Sequence, residues 1–467
     1  MKKSTFALVT ACLAMHAALA QFAFGQQNQL AASPMPQSPP ASAVPSAITV
    51  EEAITRAKAN EPAFAAALAA SKVAALNHSI ARSALLPGVV YHNQYLYTQP
   101  AHGPTQSGNA SASSSASIPR FIANNSVHEY TSQGVVTETL GVQQVTAAAQ
   151  ASAAAAVASA ELEIARRGLV VTVVGLYYNA LVAEHKLAVA QRALDEATSF
   201  TELTGKRENA REAAHADVVK AQLQQQQRQR EFADARLQSE KTRLDLAVLL
   251  FADPHTVFTL QDFAGPAPLP THEELETAAA QNNAELKSAL ASMHAANLDV
   301  TAARAAYLPD LGLSFNYGID APELATHGPD GTRNLGYSAA VTIDVPVWDW
   351  FATHDRIKQK TAQREAAKVT LTATQRRLIA DLDEFYSEAS VARDQLQSLD
   401  QSAATARESL RLTRLRYSAG EAAVLEVVDA QAALVAAETA REDGILRYQT
   451  ALANLQILTG LQIPSGT

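Results

Sequence analysis

The segment beginning at Glu51 can be laid over the segment beginning at Glu273, a displacement of 222 positions, without a gap for about 40 residues. Glu51 and Glu52 fall on Glu273 and Glu274, Asn60 on Asn282, Leu68 on Leu290, Leu76 on Leu298, Ala81-Arg82 on Ala303-Arg304, Leu86-Pro87 on Leu308-Pro309 and Tyr95 on Tyr317. A second match runs at a displacement of 209: Tyr177 on Tyr386, Asp217-Val218-Val219 on Glu426-Val427-Val428, and Ala221-Gln222 on Ala430-Gln431. The difference of 13 is extra loop in the first copy, and the Gly/Ser/Ala-rich tract 102–125 has the composition of a mobile exposed loop. A length of 467 would by itself suggest about three domains. The duplication replaces that expectation with one architecture built twice, residues 48–265 and 266–467.

The amino terminus has the layout of a secretory signal, with Lys2 and Lys3 ahead of an apolar stretch from Phe6 to Phe24. Cleavage after Ala18-Leu19-Ala20 or after Phe24-Gly25 makes 1–25 the signal and 26–47 a flexible linker. Val9-Thr10-Ala11-Cys12 also fits a lipoprotein box, but its apolar core is short. Cys12 is the one cysteine, so the mature chain has no thiol chemistry. The net charge of -9 becomes two units more negative when the lysines leave, which excludes nucleic acid as a natural partner. Beyond the signal no stretch reaches the ~18 consecutive apolar residues of a spanning helix, so any membrane crossing must be made by strands.

Both copies open with Thr-x-x-Glu, at Thr49 and Thr271, where hydroxyl and carboxylate can satisfy the free amides of a first helical turn. Each helix is expected to run on to its Leu-Pro, since Pro87 and Pro309 forbid further helix. Strands follow. Leu311, Leu313, Phe315, Tyr317 and Ile319 alternate with small or polar residues, and after a turn-rich stretch so do Tyr337, Ala339, Val341, Ile343 and Val345. The first copy offers 89–97 and 130–140, with Tyr91, Tyr95 and Tyr97 in an aromatic pattern suited to a membrane interface. Runs of about nine residues suit a tilted membrane strand, although such strands also build soluble sandwiches. Four strands cannot close a barrel in lipid, so a membrane reading requires several chains arranged in a ring.

The stretches 143–202, 217–250, 351–416 and 424–459 are rich in Ala, Leu, Gln, Glu and Arg and nearly free of Pro and Gly, and read as long helices. The longest would extend roughly 90 Å, well beyond a compact domain. Their narrow, Ala-dominated apolar faces favour close lateral packing; a solid coiled coil is the alternative. The glutamine run 222–229 reads as a solvated helix face or a polar zipper.

Together these features resemble the TolC-like outer-membrane efflux protein family over about 47–463. The most specific stretch is Tyr417-Ser418-Ala419-Gly420-Glu421-Ala422-Ala423-Val424-Leu425-Glu426-Val427-Val428-Asp429-Ala430-Gln431, similar to the family's tip between the last two long helices. The companion stretch 207–218 resembles the first tip, with Arg211 where a glycine is expected, and Val345-Pro346-Val347-Trp348 resembles the turn from strand back to helix. The resemblance implies a mainly α protein with a membrane β-barrel: a homotrimer whose twelve-stranded barrel in the outer membrane, four strands per chain, continues into a helical tunnel across the periplasm. It also implies a periplasmic adaptor (membrane fusion protein) and an inner-membrane pump as partners, outer-membrane lipid around the barrel, and no cofactor. It assigns gate carboxylates to Glu426 and Asp429, a tying tyrosine to Tyr417, its acceptor to Asp217, and strand–helix transitions to Pro87, Pro309 and Pro346. The arginine of some relatives is here Ala422, which points to a looser or differently tied gate.

Glu426 and Asp429 are three apart and share a helix face. A trimer turns them into two stacked rings of three carboxylates, which attract cations and repel anions in a narrow pore. Spacing alone also fits two ordinary solvated charges, and Tyr417 alone could be a packing aromatic. The histidines are scattered and lack the His-Glu-x-x-His pairing of a zinc hydrolase, and no phosphate loop, dinucleotide fingerprint or nucleophile elbow is present. An exit channel without enzymatic activity is therefore expected. The competing class is an exported structural or adhesive coiled coil of the envelope, which predicts heptads without paired hairpins; a periplasmic adaptor would show one central helical hairpin where this chain shows two copies.

Overall fold

The computed structural model describes residues 47–97, 128–262, 265, 268–329 and 331–461. The expected signal, nearly all of the linker, Cys12 and the tract 102–125 lie outside the described residues. After the short strand β1 (Ala47–Ile48) the first copy runs α1 (Val50–Asn60), α2 (Pro62–Ser83), β2 (Gly88–Tyr97), β3 (His128–Leu140), α3 (Val142–Asn209) and α4 (His215–Leu250). A second short strand, β4 (Thr259–Leu260), precedes α5 (His272–Asn282), α6 (Ala284–Ala305), β5 (Asp310–Ala321), β6 (Leu335–Asp344), α7 (Ala352–Ser418) and α8 (Val424–Thr459). Equivalent helices match in length: 11 and 11, 22 and 22, 68 and 67, 36 and 36 residues.

The helix expected to run unbroken to each Leu-Pro is two helices. In the first copy Pro62 has no amide to continue the ladder and occupies the first helical turn, Glu61 is extended at φ -76° and ψ 115°, and the Glu61 carboxylate caps the Ala63 amide at 3.3 Å. In the second copy Asn283 breaks the helix, its side chain accepting from the Leu286 amide at 2.7 Å. Both second helices stop short of the prolines, at Ser83 and Ala305, and a turn covers the gap. The reciprocal cap expected at both starts forms only in the second copy. Thr271 accepts from the Glu274 amide at 3.4 Å while the Glu274 carboxylate accepts from the Thr271 amide at 3.1 Å. In the first copy Thr49 accepts from the Glu52 amide at 3.2 Å, but the Glu52 carboxylate turns to Arg56 one turn along.

The four long strands make one antiparallel sheet in the order β2-β3-β5-β6, so the two hairpins are joined through their second and first strands. The register separates two chemistries in the β5–β6 hairpin and less cleanly in β2–β3, where Asn93–Ser132 lies among the apolar pairs and Val90–Val135 among the polar ones. Cross-strand neighbours share a face, and Tyr95–Tyr130, Val89–Val136, Val136–Phe315, Tyr317–Tyr337, Leu313–Val341 and Leu311–Ile343 all fall on one. Thr131–Asp320, Gln133–Gly318, Ser314–Ala340 and Asn316–Ser338 fall on the other. Large apolar groups on the first face are open in the single chain: Val89 is 75% exposed, Tyr337 77% and Val341 68%. Among the described residues β2 and β6 each have one strand neighbour.

The helices pack side by side. The upper part of α3 lies between α2 and α6, and its lower part between α4 and α8; α7 flanks α6 and α8 in turn. Two core clusters echo the duplication, one around Val173, Tyr177, Leu246 and Leu250, the other around Leu275, Leu382, Ala389, Tyr448 and Leu455. The Tyr177 hydroxyl lies 2.8 and 2.9 Å from the carbonyls of Ile48 and Gln261 and accepts from the Gln261 amide at 3.0 Å, fastening the β1–β4 pair to α3. One 18-residue stretch of α3 is apolar enough by length and composition to cross a membrane, and half of it is buried within the chain. That apolarity belongs to packing against Leu246, Leu250 and Ala453.

Candidate gate at the helical tip

The long helices end together, far from the sheet, in two turns related by the same displacement of 209: α3 gives way to α4 at 210–214, and α7 to α8 at 419–423. Arg207 corresponds to Arg416, Arg211 to Gly420, Glu212 to Glu421 and Asp217 to Glu426. Each turn passes through the left-handed region at the corresponding residue, φ 63° at Arg211 and 82° at Gly420. It closes with a hydrogen bond back to the arginine carbonyl, Glu212 N to Arg207 O at 2.8 Å and Glu421 N to Arg416 O at 2.9 Å. Arg211 adopts the glycine-like conformation at a cost of ~1–2 kcal/mol, so the tip keeps its shape despite the substitution.

Tyr417 is 4% exposed. Its ring lies 5.1 Å from Phe200, in a cluster with Ala221, Leu410, Val424 and Val427. The Arg207 guanidinium sits 4.8 Å from the ring centroid and donates to the carbonyls of Tyr417 at 2.6 Å and Ser418 at 2.7 Å. One cation therefore stacks on the aromatic face and donates to two carbonyls at the end of α7, of which that of Tyr417 also accepts from the Gly420 amide at 3.0 Å, and the helix dipole favours it there. The Tyr417 hydroxyl lies 3.3 Å from Thr204 Oγ1. The expected tie from Tyr417 to Asp217 is not made within the chain: burial against Phe200 and Arg207 turns the hydroxyl toward α3. Asp217 is half-buried in the first turn of α4, its amide bonded to Ala214 O at 2.9 Å.

Glu426 and Asp429 are both exposed on α8. The Glu426 carboxylate accepts from the Ala423 amide at 3.1 Å and from Arg416 at 3.2 Å. It thus caps its own helix and carries a local counter-ion. Arg207 and Arg416 are the residues the sequence reading missed; the 209 displacement superposes them and could have exposed the pair. Pro87 and Pro309 stand immediately before β2 and β5, and Pro346 between β6 and α7.

Above the tip, charged groups link α3, α7 and α8. Buried Glu438 accepts from Arg192 at 3.0 Å and Arg407 at 2.6 Å. Burial pushes its carboxyl upward, but the two guanidiniums outweigh this and hold it below the ordinary range. Higher still, His185 Nδ1 lies 2.8 Å from Glu442 and Nε2 lies 3.2 Å from Asp262. The hydrogen bond to Glu442 raises the His185 pKa above 6.5 against the opposing effect of burial. A raised folded-state pKa adds stability that is complete below the unfolded value and is lost as pH rises through the folded one. The melting-temperature difference between wild type and His185→Gln should therefore be larger at about pH 6 than at about pH 8. A difference independent of pH would sink this assignment.

Residues 275–461 match the family model for outer membrane efflux proteins. Protein CyaE of Bordetella pertussis is 26% identical over 266 residues, covering 56% of this chain and 55% of CyaE. The alkaline protease secretion protein AprF of Pseudomonas aeruginosa is 24% identical over 305 residues, covering 63% of this chain and 61% of AprF. The chain thus spans a little over half the length of these curated relatives. The crystal structure of the Campylobacter jejuni outer membrane channel CmeC superposes with a TM-score of 0.71 at 16% identity, covering 89% of this chain and 86% of that one. The chain therefore shares the fold of these outer-membrane channel structures, a four-stranded antiparallel sheet that runs on into long helices. Over its second half the chain is similar to the outer membrane efflux proteins, and its curated relatives include the outer membrane protein TolC of Vibrio cholerae, 25% identical over 203 residues and covering 43% of this chain and 46% of that one.

Proposed function

We propose that three copies of this chain form a passive exit channel of a tripartite efflux or type I secretion system, seated in the outer membrane and reaching into the periplasm. A periplasmic adaptor and an inner-membrane pump complete the path, and the chain itself carries no catalytic activity. Residues 48–265 and 266–467 act as two repeats behind a removable signal at 1–25. What supports this reading is the four-stranded sheet, with one face that carries most of its large apolar and aromatic groups and, among the described residues, two unpaired edge strands, joined to helices of 68 and 67 residues. In lipid those edges must be paired, and copies arranged in a ring pair them with one another, twelve strands for three chains. At 1.5 Å per residue the long helices extend about 100 Å, enough for a tunnel wall.

The gate assigned to Tyr417, Asp217, Glu426 and Asp429 acts in this reading at the constriction formed by three tips. Asp429 and the Arg416-paired Glu426 give stacked acidic rings that favour cations, while Tyr417, held by Arg207, stiffens each tip from within. The test is single-channel conductance in planar bilayers, comparing the wild type with Glu426→Ala plus Asp429→Ala. The wild type should be cation-selective and the double variant should lose much of that preference. Unchanged selectivity would remove these residues from the gate; absence of conductance in both forms would favour an envelope coiled coil.

A further inference from the structure

Between α1, α3 and the last turns of α8 lies a cavity of about 470 Å³, the size of pocket that takes a small organic ligand. Its walls are built by the fold. The Arg167 guanidinium donates to Glu163 at 2.7 Å and to the Ile457 carbonyl at 2.9 Å. Gly460 makes room for it, since a Cβ at this residue, in the left-handed region at φ 67°, would stand 2.6 Å from Arg167 Nη2. Ile54, Val174 and Leu452 supply apolar lining. Two polar groups that also line the cavity are unused. Gln449 is 4% exposed, and among the described residues its Nε2 has no hydrogen-bond partner. Lys58 is half-buried on α1 and forms no ion pair among the described residues. A buried donor without an acceptor costs stability, so a cavity that keeps one is suited to a ligand that brings the acceptor.

The duplication shows that the architecture does not demand this chemistry. Ala53 and Ala57, which seat α1 in the core around Tyr177, fall on Leu275 and Ala279 under the displacement of 222, and all four are buried. The cavity residues change character instead: Ile54 falls on Glu276, Lys58 on Ala280, and, at 209, Val174 on Asp383 and Gln449 on Glu240. The second copy keeps the packing and gives up the apolar, donor-bearing surface. We propose that the cavity binds a small amphiphilic organic acid, a compact apolar body carrying one carboxylate or sulfonate and, away from it, a hydroxyl or carbonyl oxygen. Charge sets the headgroup. Lys58, Arg166 and Arg167 stand with two carboxylates, Glu51 and Glu163, so three cations less two anions leave one positive charge in a chain whose net charge is -9. The anionic group meets Lys58, the apolar body lies on Ile54, Val174 and Leu452, and the oxygen accepts from Gln449 Nε2. The site is formed within one chain and does not depend on the channel reading.

The probe is a hydroxynaphthoate with its two groups at opposite ends of the ring system, titrated calorimetrically into the full-length protein in phosphatidylcholine nanodiscs, with the heat from empty nanodiscs subtracted. One saturable site per chain is expected, and the uncharged hydroxynaphthamide should bind more weakly. Lys58→Gln should weaken the hydroxynaphthoate about tenfold, the loss of one charge-assisted hydrogen bond, and leave the amide unchanged. Gln449→Met should weaken it about fivefold and leave plain naphthoate, which has no hydroxyl, unchanged. Without ligand, Gln449→Met should melt no lower than the wild type, because an unpaired buried donor gives way to a group of similar shape that needs no partner. Absence of saturable binding would overturn the site. Binding that survives both substitutions unchanged would place the probe elsewhere on the chain and overturn it equally. A lower melting temperature for Gln449→Met would show that Nε2 is already paired in solution, and the proposal would fall with it.

Discussion

Gly318→Val is expected to abolish assembly of the membrane sheet. A Cβ added at Gly318 would stand 2.1 Å from the Ser132 carbonyl oxygen and 2.6 Å from Gln133 Cα. Both atoms are backbone, so no rotamer change relieves the collision. Gly318 pairs with Gln133 in the β3–β5 ladder, the one seam joining the hairpin of the first repeat to that of the second. Overpacking in cores costs about 1–3 kcal/mol where side chains can yield; here the strands themselves must separate, and the effect should exceed that range. Gly336→Val is the matched control, since Gly336 faces Gly318 across the next ladder and a Cβ there meets nothing within 4 Å. The yield of heat-resistant oligomer after reconstitution should collapse for the first variant and hold for the second. Wild-type yield from Gly318→Val would mean that the β3–β5 seam is not needed for assembly.

Tyr417→Ala should loosen the tip more than any other single change there. It removes a ring that is 4% exposed and opens a cavity among Phe200, Leu410 and Val427, a change of the kind that costs ~3–5 kcal/mol for a buried aromatic. It also deprives Arg207 of the face on which it stacks. The loss should be local, so amide exchange at 405–430 should accelerate by two or more orders of magnitude, while exchange around Tyr177 and Tyr448 stays slow. Channel records should show longer open periods. Tyr417→Phe keeps the ring and gives up only the 3.3 Å contact with Thr204, so it should cost ~1 kcal/mol or less. Equal damage from Phe and Ala would mean that the hydroxyl, not the packed ring, holds the tip.

The duplication made most of the fold legible. α8 begins and ends where composition placed it, at Val424 and Thr459, and α1 and α4 displaced by 222 and 209 land on α5 and α8. The breaks at Glu61 and Asn283 were missed because periodicity carries through them; only Pro62 signals the first, and a lone asparagine reads as an ordinary helix residue until its side chain is seen capping Leu286. At the tip, residue types revealed which groups stand together but not their contacts. Whether Tyr417 turns toward Asp217 or Thr204 depends on the packing of α3 against α7, which no local pattern encodes. Arg207 was overlooked for a related reason: a basic residue in a last helical turn is common, and its value here comes from carbonyls 210 and 211 positions away in sequence.

The equal lengths of the paired helices make the chain a ruler that can be cut only in matched amounts. Arg207 reaches Tyr417 and Arg192 reaches Glu438 because α3 and α7 travel the same distance from the sheet and their partners return in step. Deleting two turns from α3 alone would raise one tip by about 11 Å and part every one of these cross-links, whereas two turns removed from α3, α4, α7 and α8 together would preserve them all. Changes in reach are therefore tied across four distant stretches of sequence, so the distance this structure bridges should alter rarely, and then in whole blocks.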